Sequence, residues 1–336
     1  MLSRKENLLA TIKGENPDRF VQQYEAFVIF TENPLHVPWA QPGGGPVKDV
    51  WGITQEWREG QIGQFPIHDE EHIVCKDIEH WQEYVHAPKI EDFTRKDWQF
   101  LIDEVEKVDR SDQFVLPMIF PGLFEMTHYL MEIKNALIAF YEYPDEMHEL
   151  INYIADYELR MAEQWCEYVQ PDGVFHHDDW GTQISTFLSP EMFAEFFLEP
   201  YKRVYKFWKE NTKEGLVVHH ADCYAATLVP YMIEMGIDIW QGPQTTNDLP
   251  ALIERYGDKI TFMGGIDSGK VDKADWSKDD IRYWTEKACH EYGAQKKYYI
   301  PCLSQGLGIS SFDGVYDYTS EVIRDMSAEM FGTPAE

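Results

Sequence analysis

Six short apolar segments, at residues 114–120, 174–177, 216–220, 237–240, 260–263 and 298–300, recur through the last two thirds of the chain. Stretches with helical periodicity separate them. Strand and helix alternating this often point to an α/β fold built on a parallel sheet, closed as a barrel or open and doubly wound. Ahead of this rhythm, Ser3-Arg-Lys-Glu6 is a capping box that predicts an opening helix, and one strand is expected within residues 20–27. Residues 28–110 lack the repeat and read as an irregular insertion. The helices between strands carry their own punctuation. Ser189-Pro190 marks an N-cap followed by proline, Pro200 should kink or split the helix that follows, and Gly215 can close its continuation.

Charge narrows the partners. The 336 residues carry 59 acidic and 29 basic side chains, a formal net charge of -30. Such a surface repels a phosphate backbone and an anionic membrane face, so neither nucleic acid nor membrane is an expected partner. Five scattered cysteines do not make a disulfide framework, and a reducing, cytoplasmic setting is the expectation. No dinucleotide fingerprint, phosphate-binding glycine loop or Gly-x-Ser-x-Gly nucleophile elbow is found.

Chemistry-bearing residues gather where the apolar segments end. The run Leu216-Val-Val-His-His-Ala-Asp-Cys223 closes on His220, Asp222 and Cys223, and Tyr299-Ile-Pro-Cys302 offers a distant thiol. Nitrogen, oxygen and sulfur donors converging from separate strand ends are what a zinc ion requires. Asp172-Gly-Val-Phe-His-His-Asp-Asp-Trp180 sets four more ionisable groups at a strand end. Alternation pairs His176 with Asp178 and His177 with Asp179, and leaves open which pair faces inward. Glu125 and Gln241 follow two other segments. Asp178, Asp179 and Glu125 are the candidate acid–base groups, and His177, Trp180 and Gln241 the candidate substrate contacts.

Asp178-Asp-Trp180, Leu188-Ser-Pro190, the His220 strand end, Phe262-Met-Gly-Gly-Ile-Asp267 and Pro301-Cys302 together resemble the uroporphyrinogen decarboxylase superfamily over nearly the whole chain. That resemblance implies one (β/α)8 TIM barrel spanning residues 1–336, with 28–110 as an insertion. The superfamily also holds zinc-dependent, corrinoid-linked methyltransferases. Their zinc pattern, laid on this chain, implies His220 and Cys302 as ligands, with Asp222 or Cys223 as the third. True decarboxylases grip their substrate with an N-terminal arginine motif. Here the corresponding residues 20–27 contain no arginine, which argues against a polycarboxylate substrate.

An oxygen donor in place of one thiolate gives a harder ion, suited to polarising an ether oxygen. The resemblance therefore implies a methyltransferase that moves a methyl group from a methoxylated aromatic compound to the Co(I) of a separate corrinoid protein. A methyltransferase delivering methyl to coenzyme M or a folate is the alternative. The chain has no Asp-x-His-x-x-Gly motif, so the corrinoid would come from a partner.

Overall fold

The computed structural model describes residues 1–61, 63–305 and 310–332. Seven strands form one parallel sheet: β1 (Phe27–Phe30), β2 (Phe114–Ile119), β3 (Gly173–His177), β4 (Leu216–His220), β5 (Ile239–Gln241), β6 (Thr261–Ile266) and β7 (Tyr299–Leu303), hydrogen-bonded in chain order. Helices between them cover the outside, so the strands are buried on both faces, as their unbroken apolar runs require. Alternation then divides each strand. Leu116, Phe175, Val218, Ile239, Met263 and Ile300 meet in the lumen, while Val115, Val174, Val217, Trp240, Phe262 and Tyr299 pack under the helices. A curled parallel sheet with a filled lumen and an outer helical layer is the TIM-barrel-like arrangement that the family resemblance implied, with seven parallel strands among the described residues where eight were expected.

The first strand begins later than expected. Residues 20–26 make tight turns instead, with Glu25 N–H on Gln22 C=O (3.0 Å) and Phe27 N–H on Tyr24 C=O (2.9 Å). Gln23 explains the exchange. Its side-chain oxygen accepts from Leu303 N–H at 3.3 Å, and its amide nitrogen reaches Tyr316 C=O (3.1 Å) and Ser320 (2.8 Å). A side chain just ahead of the first strand thus ties this segment to the last strand and to the helix Val315–Phe331.

Helix α1 (Arg4–Lys13) opens on the Ser3–Glu6 capping box. Within residues 28–110 the chain builds a small antiparallel sheet (Val47–Lys48, Thr54–Glu56, Phe65–Pro66) and the helix α2 (Arg95–Val105). Three tryptophans tie this region to the barrel. Behind β2 come α3 (Leu123–Met131), α4 (Ile133–Glu142) and the long α5 (Pro144–Tyr168). Trp51, Trp81 and Trp98 lie against Tyr157, Tyr153 and Trp165 of α5, with ring centroids 4.9, 5.1 and 5.1 Å apart. One apolar cluster runs continuously from the insertion through α5 to the outer faces of the strands.

Ser189 caps its helix by accepting from Met192 N–H at 3.2 Å. The helix does break before Pro200: Ala194–Leu198 widens to a π-turn before Glu199–Asn211 resumes. Proline has no N–H and its ring crowds the preceding turn, which the wider turn relieves. That helix ends at Asn211, four residues before Gly215, because Thr212 turns into extended backbone. None of the described helices is long and apolar enough to cross a membrane.

Candidate metal centre at the barrel mouth

Strands β3 and β4 end in the same dipeptide, His-His, and pair in register, His176 with His219 and His177 with His220. Strand alternation must therefore send one histidine of each dipeptide outward and the other inward. The outward pair, His176 and His219, is fully buried beneath α5 and the Glu199–Asn211 helix. His176 Nε2 meets Glu158 at 3.1 Å, His219 Nδ1 meets the Tyr205 hydroxyl at 2.7 Å, and Trp180 stacks on the His219 ring at 4.0 Å. The inward pair stacks at the mouth, with ring centroids 4.3 Å apart.

Asp179 shares the parity of His177 and joins this inward pair. Ligand atoms of His177, Asp179 and His220 all lie within 4.8 Å of one another, the one such group among the described residues. Each imidazole is oriented from behind. His177 Nδ1 bonds Glu125 at 2.9 Å, and His220 Nδ1 bonds the side-chain oxygen of Gln241, its register neighbour on β5. With both Nδ1 atoms engaged, the Nε2 atoms are left to face a ligand. Metal-bound histidines are held in this way, their second nitrogen fixed by a carboxylate or carbonyl oxygen.

Electrostatics point the same way. Burial lowers the pKa of His177 and takes that of His220 to about 4, so both rings are neutral and able to donate a lone pair. Around them stand three carboxyls. Burial first, then the neighbouring Asp179 and Asp178, push Glu125 well above the ordinary carboxylate range. Asp222 is raised by burial and then by Asp179 and Glu125. Its Oδ2 lies 3.9 Å from His220 Nε2, and its backbone N–H donates to Asp179 at 2.8 Å. Two imidazole nitrogens and a carboxylate oxygen, with two further carboxyls close by, fit a divalent cation such as zinc with a coordination position left open.

The other residues singled out in the sequence fall around this group. Asp178 points outward. It accepts the backbone N–H groups of Phe124 (2.8 Å) and Glu125 (2.7 Å), the Trp180 indole (3.0 Å) and the Tyr201 hydroxyl. It thereby pins the first turn of α3, the turn that carries Glu125 to His177. A Cβ on Gly122 would fall 2.5 Å from Asp178 Cβ and 2.7 Å from the His176 ring, so only glycine lets the helix come this close. Trp180 belongs to the same outer layer. Gln241 is buried and serves His220. Cys223 packs in the outer apolar cluster and Cys302 in the lumen, both with thiols pushed up by burial, and neither joins the converging group.

His177 and Asp179, candidates in the sequence for substrate contact and acid–base work, lie beside His220 with ligand atoms close enough to share one ion. The signal was present: two His-His strand ends in a parallel sheet must pair like with like.

A family model described as uroporphyrinogen decarboxylase (URO-D) matches residues 54–311. No curated protein matches the chain. Among solved structures, a methyltransferase from Methanosarcina mazei superposes with a TM-score of 0.68 at 14% identity, covering 98% of this chain and 100% of that one. An endo-β-N-acetylglucosaminidase from Cordyceps militaris reaches a TM-score of 0.38 at 12% identity, over 70% of this chain and 78% of its own. The first of these likenesses is one of fold. The family match spans most of the barrel and the converging strand ends, and the chain belongs to the uroporphyrinogen decarboxylase family.

Proposed function

We propose that the protein is a methyltransferase that takes a methyl group from a methoxylated aromatic compound and passes it to the Co(I) of a separate corrinoid protein. The observation that carries this reading is the donor set: His177, Asp179 and His220 converge, while Cys223 and Cys302 stand apart. A centre of two imidazoles and a carboxylate would hold a divalent ion that acts as a Lewis acid toward oxygen. Thiol capture by the coenzyme M and folate branch is better served by a thiolate-rich set. The methyltransferase description of the structurally similar Methanosarcina mazei protein accords with the reading.

Breaking an aryl–O–CH3 bond leaves its electron pair on the phenolic oxygen, and stabilising that charge is the chain's task. Glu125 and Gln241 hold the two imidazoles in orientation from behind. Asp222, beside His220 Nε2 and raised by burial and then by its acidic neighbours, is the carboxyl placed to keep a proton for the departing oxygen. Phe120, edge-on to His177 at 4.7 Å, supplies an apolar wall.

The test mixes the zinc-loaded protein with a methoxyarene and a Co(I) corrinoid protein and follows the cobalt spectrum. Conversion to methylcobalt, lost in His220→Ala, is the expected result. Consumption of methylcobalamin only when a thiol or folate acceptor is added would instead assign the opposite direction of transfer.

A further inference from the structure

A cavity of about 170 Å3 lies between the insertion and the rim of β2, and none of His177, Asp179 and His220 lines it. Trp39, Trp51, Phe120 and Tyr157 form its apolar walls. An apolar cavity of roughly 150 Å3 accommodates a benzene ring, so one aromatic ring fits here. Two lining residues are polar and almost wholly buried, Gln55 at 7% and Glu158 at 5% exposure. Each keeps a buried acceptor oxygen, Oε1, with no hydrogen-bond partner.

The surroundings fix which atoms remain idle. Glu158 spends its other oxygen on His176 at 3.1 Å. Gln55 turns its amide nitrogen to Asp49 at 3.5 Å, which directs the carbonyl oxygen away. A buried acceptor without a donor costs about 1–3 kcal/mol, a penalty that a bound donor would relieve. Asp49 also lines the cavity, and no lysine or arginine does among the described residues. An anionic ligand would meet two carboxyls, with His36 the one lining side chain that could carry a positive charge among the described residues.

We propose that this cavity binds a single aromatic ring carrying hydrogen-bond donors, of the phenol or catechol class, and rejects aromatic carboxylates. The ring packs between Trp39 and Trp51 while its hydroxyls donate to Gln55 and Glu158. This goes beyond the methyl-transfer reading, and it is tested by binding alone.

The experiment is calorimetric titration of the full-length protein, without metal or corrinoid, with catechol and with benzoate. Catechol should bind saturably at one site and benzoate at least about tenfold more weakly. Gln55→Met removes one acceptor at constant size and should weaken catechol by about tenfold. Trp39→Ala, at a half-exposed wall position, should weaken it similarly and serves if the buried substitution impairs folding. Absence of saturable catechol binding, benzoate binding equally well, or wild-type affinity in the folded variants would each overturn the proposal.

Discussion

Replacing Glu125 by glutamine tests the candidate metal centre without touching a donor atom. The carboxyl lies 2.9 Å from His177 Nδ1, is buried, and is raised well above its ordinary value by that burial and by Asp179 and Asp178. In the metal-free protein it therefore keeps its proton and donates it to Nδ1, which places the ring hydrogen on Nε2. Binding an ion through Nε2 requires the opposite tautomer, with Nδ1–H donating to a carboxylate, so one proton must leave. Glutamine keeps the shape but cannot become an anion. Losing the carboxylate behind a metal-bound histidine typically weakens affinity by about 10–100-fold, or roughly 1.4–2.8 kcal/mol. Zinc affinity measured against a chromophoric chelator should fall by that amount in Glu125→Gln. Calorimetry in two buffers of different ionisation enthalpy should show about one proton fewer released per ion. An affinity within twofold of wild type, with proton release unchanged, would refute the role of Glu125 and the tautomer argument with it.

Three further outcomes are expected. His220→Ala should lose the metal while Cys302→Ala retains close to one ion per chain by elemental analysis; the reverse would move the centre into the lumen. Asp178→Asn should lower urea-denaturation stability by ~2–3 kcal/mol, because a buried acceptor of four donors is weakened; full stability with a loss of turnover alone would make Asp178 a catalytic residue instead. Because the folded metal-free protein holds a proton on Glu125 that the unfolded chain releases above pH ~4.3, its stability contribution falls as pH rises from there, by up to about 1.4 kcal/mol per pH unit. Wild-type and Glu125→Gln stabilities should thus differ by an amount that grows in the variant's favour with rising pH, and a pH-independent difference would contradict the raised carboxyl.

The strand–helix alternation could be read from the chain because each strand after the first is an apolar run with a polar end, a local pattern, whereas closure into a barrel was implied only by the family resemblance. Where a non-local contact decides the backbone, the local pattern misleads. Residues 20–27 have the apolar content of a strand, yet Gln23 is bonded to residues some 280 positions later, and the segment folds into turns. The insertion looks irregular because its order comes from outside it. Trp51, Trp81 and Trp98 are spaced without period and acquire a common partner only when α5 lies beneath them.

The convergence at the candidate centre is hard to read from the sequence for a related reason. A motif names residue types, whereas a metal needs directions, and these follow from which strands neighbour each other. Once β3 and β4 are adjacent and in register, His177 and His220 must face the mouth together, and His176 and His219 must face the helices together. The outer pair then meets Glu158, Tyr201, Tyr205 and Asp178, and this buried layer is what holds α3 in position. Glu125 on α3 reaches His177 only because Asp178, one residue beyond it in the chain, anchors that helix. Four consecutive residues, His176 to Asp179, thus alternate between buried framework and candidate donors at the mouth, and the framework half sets the orientation of the other half.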